Sequence, residues 1–447
     1  MNWPAYPEYK DVGVDWLGAV PAHWPVGKVK HGFSVVLGKM YQAEVTGPDD
    51  QLLPHLKAGS VTETGLNLED PMLCAFSRPE RRNLSLRRGD LLVVEGGAIG
   101  RCVVLEEDLP GWGFQKSLNR VRPLGDDSVI FLSYLVQSAT ALGHVSILCG
   151  KATIPHFTAE KLAALEWPRP PVEEQTRIAD FLDRETATID TLIDKQNQLI
   201  ATLREDRTAT ITRAVTNGLD PDVDMKDSGV KWLGHMPVHW KAGRLKDVVA
   251  TVDSGTSVNG ADVPAADGEV GVLKTSCVSS GTFLAGANKT VAFEDLDRVS
   301  CPVRGDTLIV NRANTPALVG SAGYVSESVD DLYLSDKLWQ VKFVGSLPKY
   351  VHYWTQTRVY RSQIAAGCVG ASASMQNLSI TDFRAIEIGI PPVEEQREVV
   401  DHLDVVLSKV DALIDTASAM ITTLSEYRSA LIMAAVTGKI DVRGAVA

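Results

Sequence analysis

Apolar positions recur at helical spacing in two long stretches of this chain and fall into short blocks elsewhere. In the C-terminal stretch Leu403, Val406, Val410, Leu413, Ala417, Met420, Leu424, Tyr427 and Leu431 follow alternating steps of three and four without a break. Such spacing lays one apolar seam along an α-helix, as in a coiled coil. An earlier stretch keeps the phase at Leu182, Ile189, Leu192, Leu199 and Leu203, but carries Glu185, Gln196, Asp206 and Thr210 at seam positions and predicts a helix that is weaker alone. Pro170-Pro171 and Pro391-Pro392 precede the two stretches. They stop what comes before and preset a first helical turn, and the glutamates that follow sit at the positive end of the helix dipole. Each helix is predicted to run about 45 residues, roughly 65 Å, and Asn217-Gly218 and Gly438 supply the stops.

The short blocks read as mixed α/β. Leu91 to Val94, Arg101 to Leu105 and Leu118 to Arg122 are predicted strands, with a helix over Val129 to Leu142. Leu308 to Asn311, Ser321 to Val325 and Trp339 to Val344 are their later counterparts, with a helix over Tyr350 to Ala365.

The chain repeats itself once. Residues 9 to 30 match 225 to 246 at 12 of 22 positions, including Trp16, Trp24, Trp232 and Trp240, and residues 170 to 220 match 391 to 441 at 24 of 51 without a gap. A duplication explains both matches. Two copies of one unit meet most simply about a pseudo-two-fold axis, which would make the two long helices antiparallel partners. The alternative is that each helix packs only on its own module. The expected organisation is an N-terminal shared segment (1–24), a divergent domain (25–166), a shared helix (167–220), the repeated segment (221–240), a second divergent domain (241–389) and a second shared helix (390–447). The expected fold class is α/β (α+β): two mixed α/β domains separated by two long antiparallel helices forming a coiled coil.

Lys plus Arg number 44 against 56 Asp plus Glu, a net charge of −12, which by itself argues against nucleic acid. The distribution alters that inference. Residues 25 to 166 carry 15 basic and 16 acidic side chains and residues 241 to 390 carry 14 and 15, whereas 167 to 220 carry 7 against 10 and 391 to 447 carry 5 against 9. The acidity thus sits in the helices, and the first divergent domain holds a basic cluster of Arg78, Arg81, Arg82, Arg87 and Arg88. No stretch is apolar enough for a membrane span, the start lacks a signal-peptide pattern, and the six cysteines are dispersed without a Cys-x-x-Cys pair, so a reduced, cytoplasmic protein is expected. Phosphate-loop, zinc-protease and nucleophile-elbow motifs are absent, and Glu95-Gly-Gly-Ala-Ile-Gly100 lacks dinucleotide-loop spacing. His23 and His239 occupy matching positions beside Trp24 and Trp240, where packing or a partner surface is a better reading than catalysis.

The ordered pair Lys-Asp-x-Gly-Val-x-Trp-Leu-Gly-x-x-Pro-x-His-Trp and Pro-Pro-Val-Glu-Glu-Gln, each present twice around a divergent domain, resembles the DNA specificity subunit of type I restriction-modification systems over essentially the whole chain. Thr153 to Thr158 and Ala373 to Ser379 resemble that family's domain endings. The resemblance implies two target-recognition domains, each reading half of a bipartite, asymmetric double-stranded DNA target. It also implies a non-catalytic chain that docks two methyltransferase subunits and, in the full complex, restriction/translocase subunits. No cofactor is expected in this chain; S-adenosylmethionine, ATP and magnesium would be bound by the partners. Weak DNA binding is expected of the chain alone.

Base edges are read best by Arg, Lys, Asn and Gln on loops. The candidates are Arg78, Arg81, Arg82, Lys116, Lys151, Thr153 and His156 in the first domain, and Asn311, Arg312, Asn314, Lys337, Ser374, Gln376 and Asn377 in the second. Partner docking is assigned to Trp16, Trp24, Glu174, Gln175, Trp232, Trp240, Glu395 and Gln396, with domain core as the alternative for the tryptophans. Two rival functions stand beside this one. A coiled-coil scaffold without a nucleic-acid role would leave the divergent modules unexplained, and a fused enzyme would need a cofactor motif.

Overall fold

The computed structural model describes residues 3–150, 155–372 and 375–444. The chain divides into two compact units, residues 1–196 with 419–447 and residues 197–418. These boundaries cut both long helices, Val172–Asn217 and Val393–Val436. Each unit therefore owns half of each helix, where the sequence suggested helices standing as segments of their own.

In the first unit the divergent domain is built on a four-stranded antiparallel sheet, ordered Cys102–Val104, Leu91–Val94, Leu118–Pro123, Phe33–Leu37. All four residues of Leu91–Val94 are buried because both faces of the strand are covered. Leu91, Val93 and Val121 pack with Phe131, Leu132 and Leu135 of the helix Val129–Ala141. Leu92, Val94 and Leu118 point the other way, into a second core with Leu56, Phe76 and Phe114. A smaller sheet, Gly113–Phe114, Gln51–Leu56, Leu73–Phe76, lies over that second core.

The second unit repeats the plan. Its sheet is ordered Val249–Ser254, Leu338–Phe343, Thr307–Asn311, Ala322–Val325. Leu308, Val310 and Val341 share a core with Tyr350, Val351 and Trp354, while Ile309 and Leu338 face a separate one with Leu273 and Val303. The single helix expected over Tyr350 to Ala365 is two, Pro348–Thr355 and Arg358–Gly367. Thr357 makes the break: its hydroxyl donates to the Trp354 carbonyl at 2.8 Å and accepts the Tyr360 N–H at 3.3 Å, capping the second helix.

The long helices stop where the glycines predicted. Gly438 has φ +71° and Gly218 φ +79°, a left-handed conformation natural to a helix end. At Gly438 no other residue fits, since a Cβ would lie 2.3 Å from Pro21. Lys439 N–H donates to the Ala434 carbonyl at 2.7 Å, closing the last turn.

In both units the helix halves run antiparallel. Arg428 pairs with Asp190 at 2.9 Å in the first, and Arg207 with Asp411 at 3.0 Å in the second. The repeat makes Arg207 equivalent to Arg428 and Asp190 to Asp411, so one contact is made twice with the copies exchanged. The seam differs from the expected one at alternate positions. Leu403, Val410, Ala417, Leu424 and Leu431 face inward as expected, but Leu407, Ile414 and Ile421 are each more buried than the expected Val406, Leu413 and Met420 beside them. On the other helix Leu182, Thr186, Ile189, Ile193, Gln196, Ile200, Leu203 and Arg207 form the inward row, displacing Glu185, Leu192, Leu199 and Asp206. Adjacent apolar pairs such as Leu192-Ile193, Leu199-Ile200 and Leu413-Ile414 fit a 3–4 or a 4–3 alternation equally well. Which member turns inward depends on packing at the helix ends, which spacing does not contain.

Leu407 is 3% exposed and Leu413 54% exposed. Leu407→Ala should therefore cost about 2–4 kcal/mol, and Leu413→Ala no more than about 0.5 kcal/mol, in denaturant unfolding of the chain. Equal losses would restore the 3–4 seam.

Candidate nucleic-acid interface

The loops at one end of each sheet gather most of the predicted polar residues. In the first unit the strands ending at Leu37 and Val94 and the strand beginning at Leu118 lead to Gly38-Lys39, Glu95-Gly96 and Gln115 to Ser117. Glu95 is the joint of this end: its N–H donates to the Ser117 carbonyl at 2.9 Å and its carbonyl accepts the Phe157 N–H at 2.8 Å. The chain returning from the module thereby brings His156 beside Gly96. Lys39 bridges to Glu80 at 2.6 Å, holding the helix Arg78–Asn83 against the same end. Ser77 and Glu80 close that helix's first turn as a capping box.

Within this cluster Arg78, Arg82, Lys116 and His156 are exposed, as a contact surface needs. Arg81 is not free. Its guanidinium donates to the carbonyls of Asp49 at 2.6 Å and Phe76 at 3.1 Å, so it braces a loop instead of reaching outward. Lys151 and Thr153 lie outside the described residues. Glu95, which is not among the candidates from the sequence, has 13% of its side chain exposed, and its carboxylate stands 3.9 Å from the His156 ring nitrogen. Among the described residues it receives no hydrogen bond. Burial pushes this carboxyl up from the ordinary range, against the opposing pull of the His156 and Lys116 charges.

The second unit builds the same end with other side chains. Arg312 N–H donates to the Lys337 carbonyl at 3.0 Å and its carbonyl accepts the Leu378 N–H at 2.8 Å. Arg312 thus occupies the place of Glu95, Asn377 that of His156, and Asp336 that of Lys116. Gly38 and Gly255 mark the equivalence from another side. A Cβ on either would drive into a carbonyl oxygen, of Gln115 at 2.2 Å or of Leu334 at 1.7 Å, so only glycine lets the strand pass. The Arg312 guanidinium lies over the Trp339 ring at 5.7 Å, and its Nε is buried without a hydrogen-bond partner. Lys337 and Asn377 are exposed and Asn314 and Gln376 half-buried, on the paired strands Ala313–Asn314 and Met375–Asn377. Asn311 is a correction: it is fully buried, and its amide donates inward to the Thr275 carbonyl. Ser374 lies outside the described residues.

The residues expected to face a partner are mostly internal joints. Trp24 and Trp240 are 0% and 1% exposed, so for them the core alternative is the one realised. Gln175 is buried with its amide donating to the Pro170 carbonyl and to Asp127, both at 2.9 Å, while its oxygen accepts the Ser128 N–H at 2.8 Å. Gln396 repeats this with the Pro391 carbonyl at 2.9 Å and the Leu347 N–H at 2.8 Å. Glu174, also buried, accepts the Tyr6 hydroxyl at 2.7 Å and meets His23 at 3.0 Å. Glu395 meets His239 at 2.7 Å and accepts the Trp240 indole N–H at 3.0 Å. Trp16 stacks on His144, and Trp232 alone of the four tryptophans stays at the surface, under Lys231. On the long helices the predicted seam residues Leu192, Met420 and Tyr427 in the first unit and Leu199 and Leu413 in the second are exposed instead.

Comparison with known proteins agrees with this layout. The sequence profile of the type I restriction modification DNA specificity domain matches residues 80–201 and 237–422. The EcoKI specificity subunit of Escherichia coli K12 is 20% identical over 92% of this chain and 88% of its own. The Escherichia coli EcoEI specificity subunit is 26% identical over 38% of this chain, a match that spans only 29% of its own length. A solved structure concerning complex assembly and conformational transition of the type I R-M system has the same fold, with a TM-score of 0.69 over 93% of this chain and 98% of that one at 14% identity. The chain belongs to the family of type I restriction modification DNA specificity domains. It is a DNA-sequence-recognition subunit, not a catalyst, and the scaffold reading without nucleic acid falls. No helix among the described residues is long and apolar enough to cross a membrane.

The arginines separate by role. Arg81→Ala, which frees two carbonyls, should cost about 1–2 kcal/mol of stability. Arg78→Ala and Arg82→Ala should leave stability within about 0.5 kcal/mol, yet each should lower the slope of log affinity for DNA against log salt by about one. Thermal melts and binding across a salt series check the division, and an unchanged slope would take these two arginines off the DNA.

Proposed function

We propose that this chain sets the target of a type I restriction-modification complex. One module reads each half of a bipartite, asymmetric duplex sequence, and the two long helices fix the number of unread base pairs between the halves. The observation that carries this reading is the sheet end built twice: one main-chain framework presents Glu95, Lys116 and His156 in one module and Arg312, Asp336 and Asn377 in the other. A duplicated framework with unlike side chains suits a target whose halves differ. Two modification subunits would dock on the exposed apolar residues of the long helices and supply S-adenosylmethionine, while restriction/translocase subunits would bring ATP and magnesium. The acidity of the helical blocks leaves few cations here for phosphates, so the partners would provide much of the backbone contact. The complex would act in the cytoplasm, where host DNA lies.

The test is co-expression with the cognate modification subunit, followed by single-molecule sequencing of host DNA. One bipartite methylated motif with a fixed gap, lost on deletion of this chain, is expected. A stable complex that methylates no such motif would sink the proposal. Adding one helical turn to both long helices, about 5.4 Å of rise, should lengthen the gap by one or two base pairs and leave both half-sites unchanged. A motif whose halves change with the insertion would show that the helices do more than space the modules.

A further inference from the structure

The two modules hold opposite charges at one structural position. Glu95 and Arg312 each follow a central strand, and each is clamped by the same pair of main-chain bonds, to Ser117 and Phe157 or to Lys337 and Leu378. Their backbones therefore serve the fold, and their side chains are spared that duty. Among the described residues neither side chain has a hydrogen-bond partner: the Glu95 carboxylate, 13% exposed, has only the His156 ring nitrogen at 3.9 Å, and the Arg312 Nε is buried and unpaired. A carboxylate in that state lacks donors, and a guanidinium in that state lacks acceptors. Lys116 and His156 are exposed beside Glu95 and place positive charge near it, and the Arg312 guanidinium lies over the Trp339 ring.

We infer, on the reading that this chain recognises a bipartite target, that Glu95 and Arg312 are equivalent base-reading residues, one in each half-site, and that they read the two strands of a G·C pair in opposite senses. In the major groove cytosine offers the N4 amino donor with no acceptor beside it, whereas guanine offers the O6 and N7 acceptors and adenine sets N7 next to its amino group. A carboxylate is repelled by N7 and O6 and so selects cytosine. A guanidinium bridges O6 and N7 and selects guanine. The half-site read by the first module should therefore contain a cytosine required by Glu95, and the half-site read by the second a guanine required by Arg312.

The experiment uses the complex assembled with its modification subunit and compares the methylated motif of the wild type with those of Glu95→Gln and Arg312→Gln. Glu95→Gln should relax one C·G position of one half-site, with adenine admitted because a glutamine side chain pairs with its N6 and N7. Arg312→Gln should do the same at one G·C position of the other half-site. At each position a wild-type preference of roughly five- to 150-fold should fall to a few-fold, all other positions keeping theirs. If either variant does not co-purify with its partner, Glu95→Asp and Arg312→Lys replace it. They keep the charge but lose reach or the two-pronged contact, and the same single-position relaxation is expected. An unchanged motif, or an equal loss at every position in a complex that still melts like the wild type, overturns the inference while the bipartite reading stands. A wild-type complex with no bipartite motif would overturn that reading instead.

Discussion

Each long helix begins at a buried glutamine whose side chain belongs to two elements at once. The Gln175 amide closes on Pro170 at its own helix start, and its oxygen takes the Ser128 N–H at the start of the helix that packs on the module's sheet. Gln396 does the same for Pro391 and Leu347. The start of the module's helix carries N–H donors that its own turns cannot meet; the glutamine oxygen takes one of them, while its amide N–H holds the proline carbonyl just ahead of the long helix. Its loss would leave a buried N–H unpaired, worth about 1–3 kcal/mol. The glutamate before it gathers Tyr6 and His23, or Trp240 and His239, so the short repeated segment is tied to the same corner. The motif Pro-Pro-Val-Glu-Glu-Gln is therefore a joint that fixes each module's helix, and with it the sheet, against the long helix of its unit.

That joint explains which parts of the structure could be read in the sequence. A local constraint leaves a local trace: the prolines, the glycine stops and the buried strands at Leu91–Val94 and Thr307–Asn311 lie where spacing and composition place them. The seam was half legible. Its phase slips at apolar pairs such as Leu413-Ile414, where two apolar neighbours compete and the choice is made by contacts distant in sequence, and the polar pairs Glu185-Thr186 and Asp206-Arg207 shift with it. The tryptophans were ambiguous for the same reason, since a repeated Trp marks a core and a partner surface alike.

The candidate interface was legible by residue type and not by role. Arg81 and Asn311 have the chemistry of base readers, but the structure spends it on carbonyls of Asp49, Phe76 and Thr275. Glu95 was missed because an acidic side chain in a DNA-facing protein is ordinarily counted as repulsive. Its trace lay in the repeat: once the strands are aligned on their main-chain bonds, Glu95 falls on Arg312, so the two copies carry opposite charges at one framework position.

Charge reversal on a common framework also resolves the tension between a net charge of −12 and a DNA target. Phosphate attraction is a sum over many charges and rewards a basic surface, whereas discrimination between bases depends on a few donors and acceptors held at fixed points. The main-chain bonds of Glu95 and Arg312 are nearly identical in length and partner, so the framework tolerates either sign at the same place. Side chains at that position can then change without disturbing the sheet behind them, because the strand's cores lie on its buried residues and not on the residue that follows. A recognition module built this way can alter what it reads while its attachment to the long helices, through Gln175 or Gln396, stays the same.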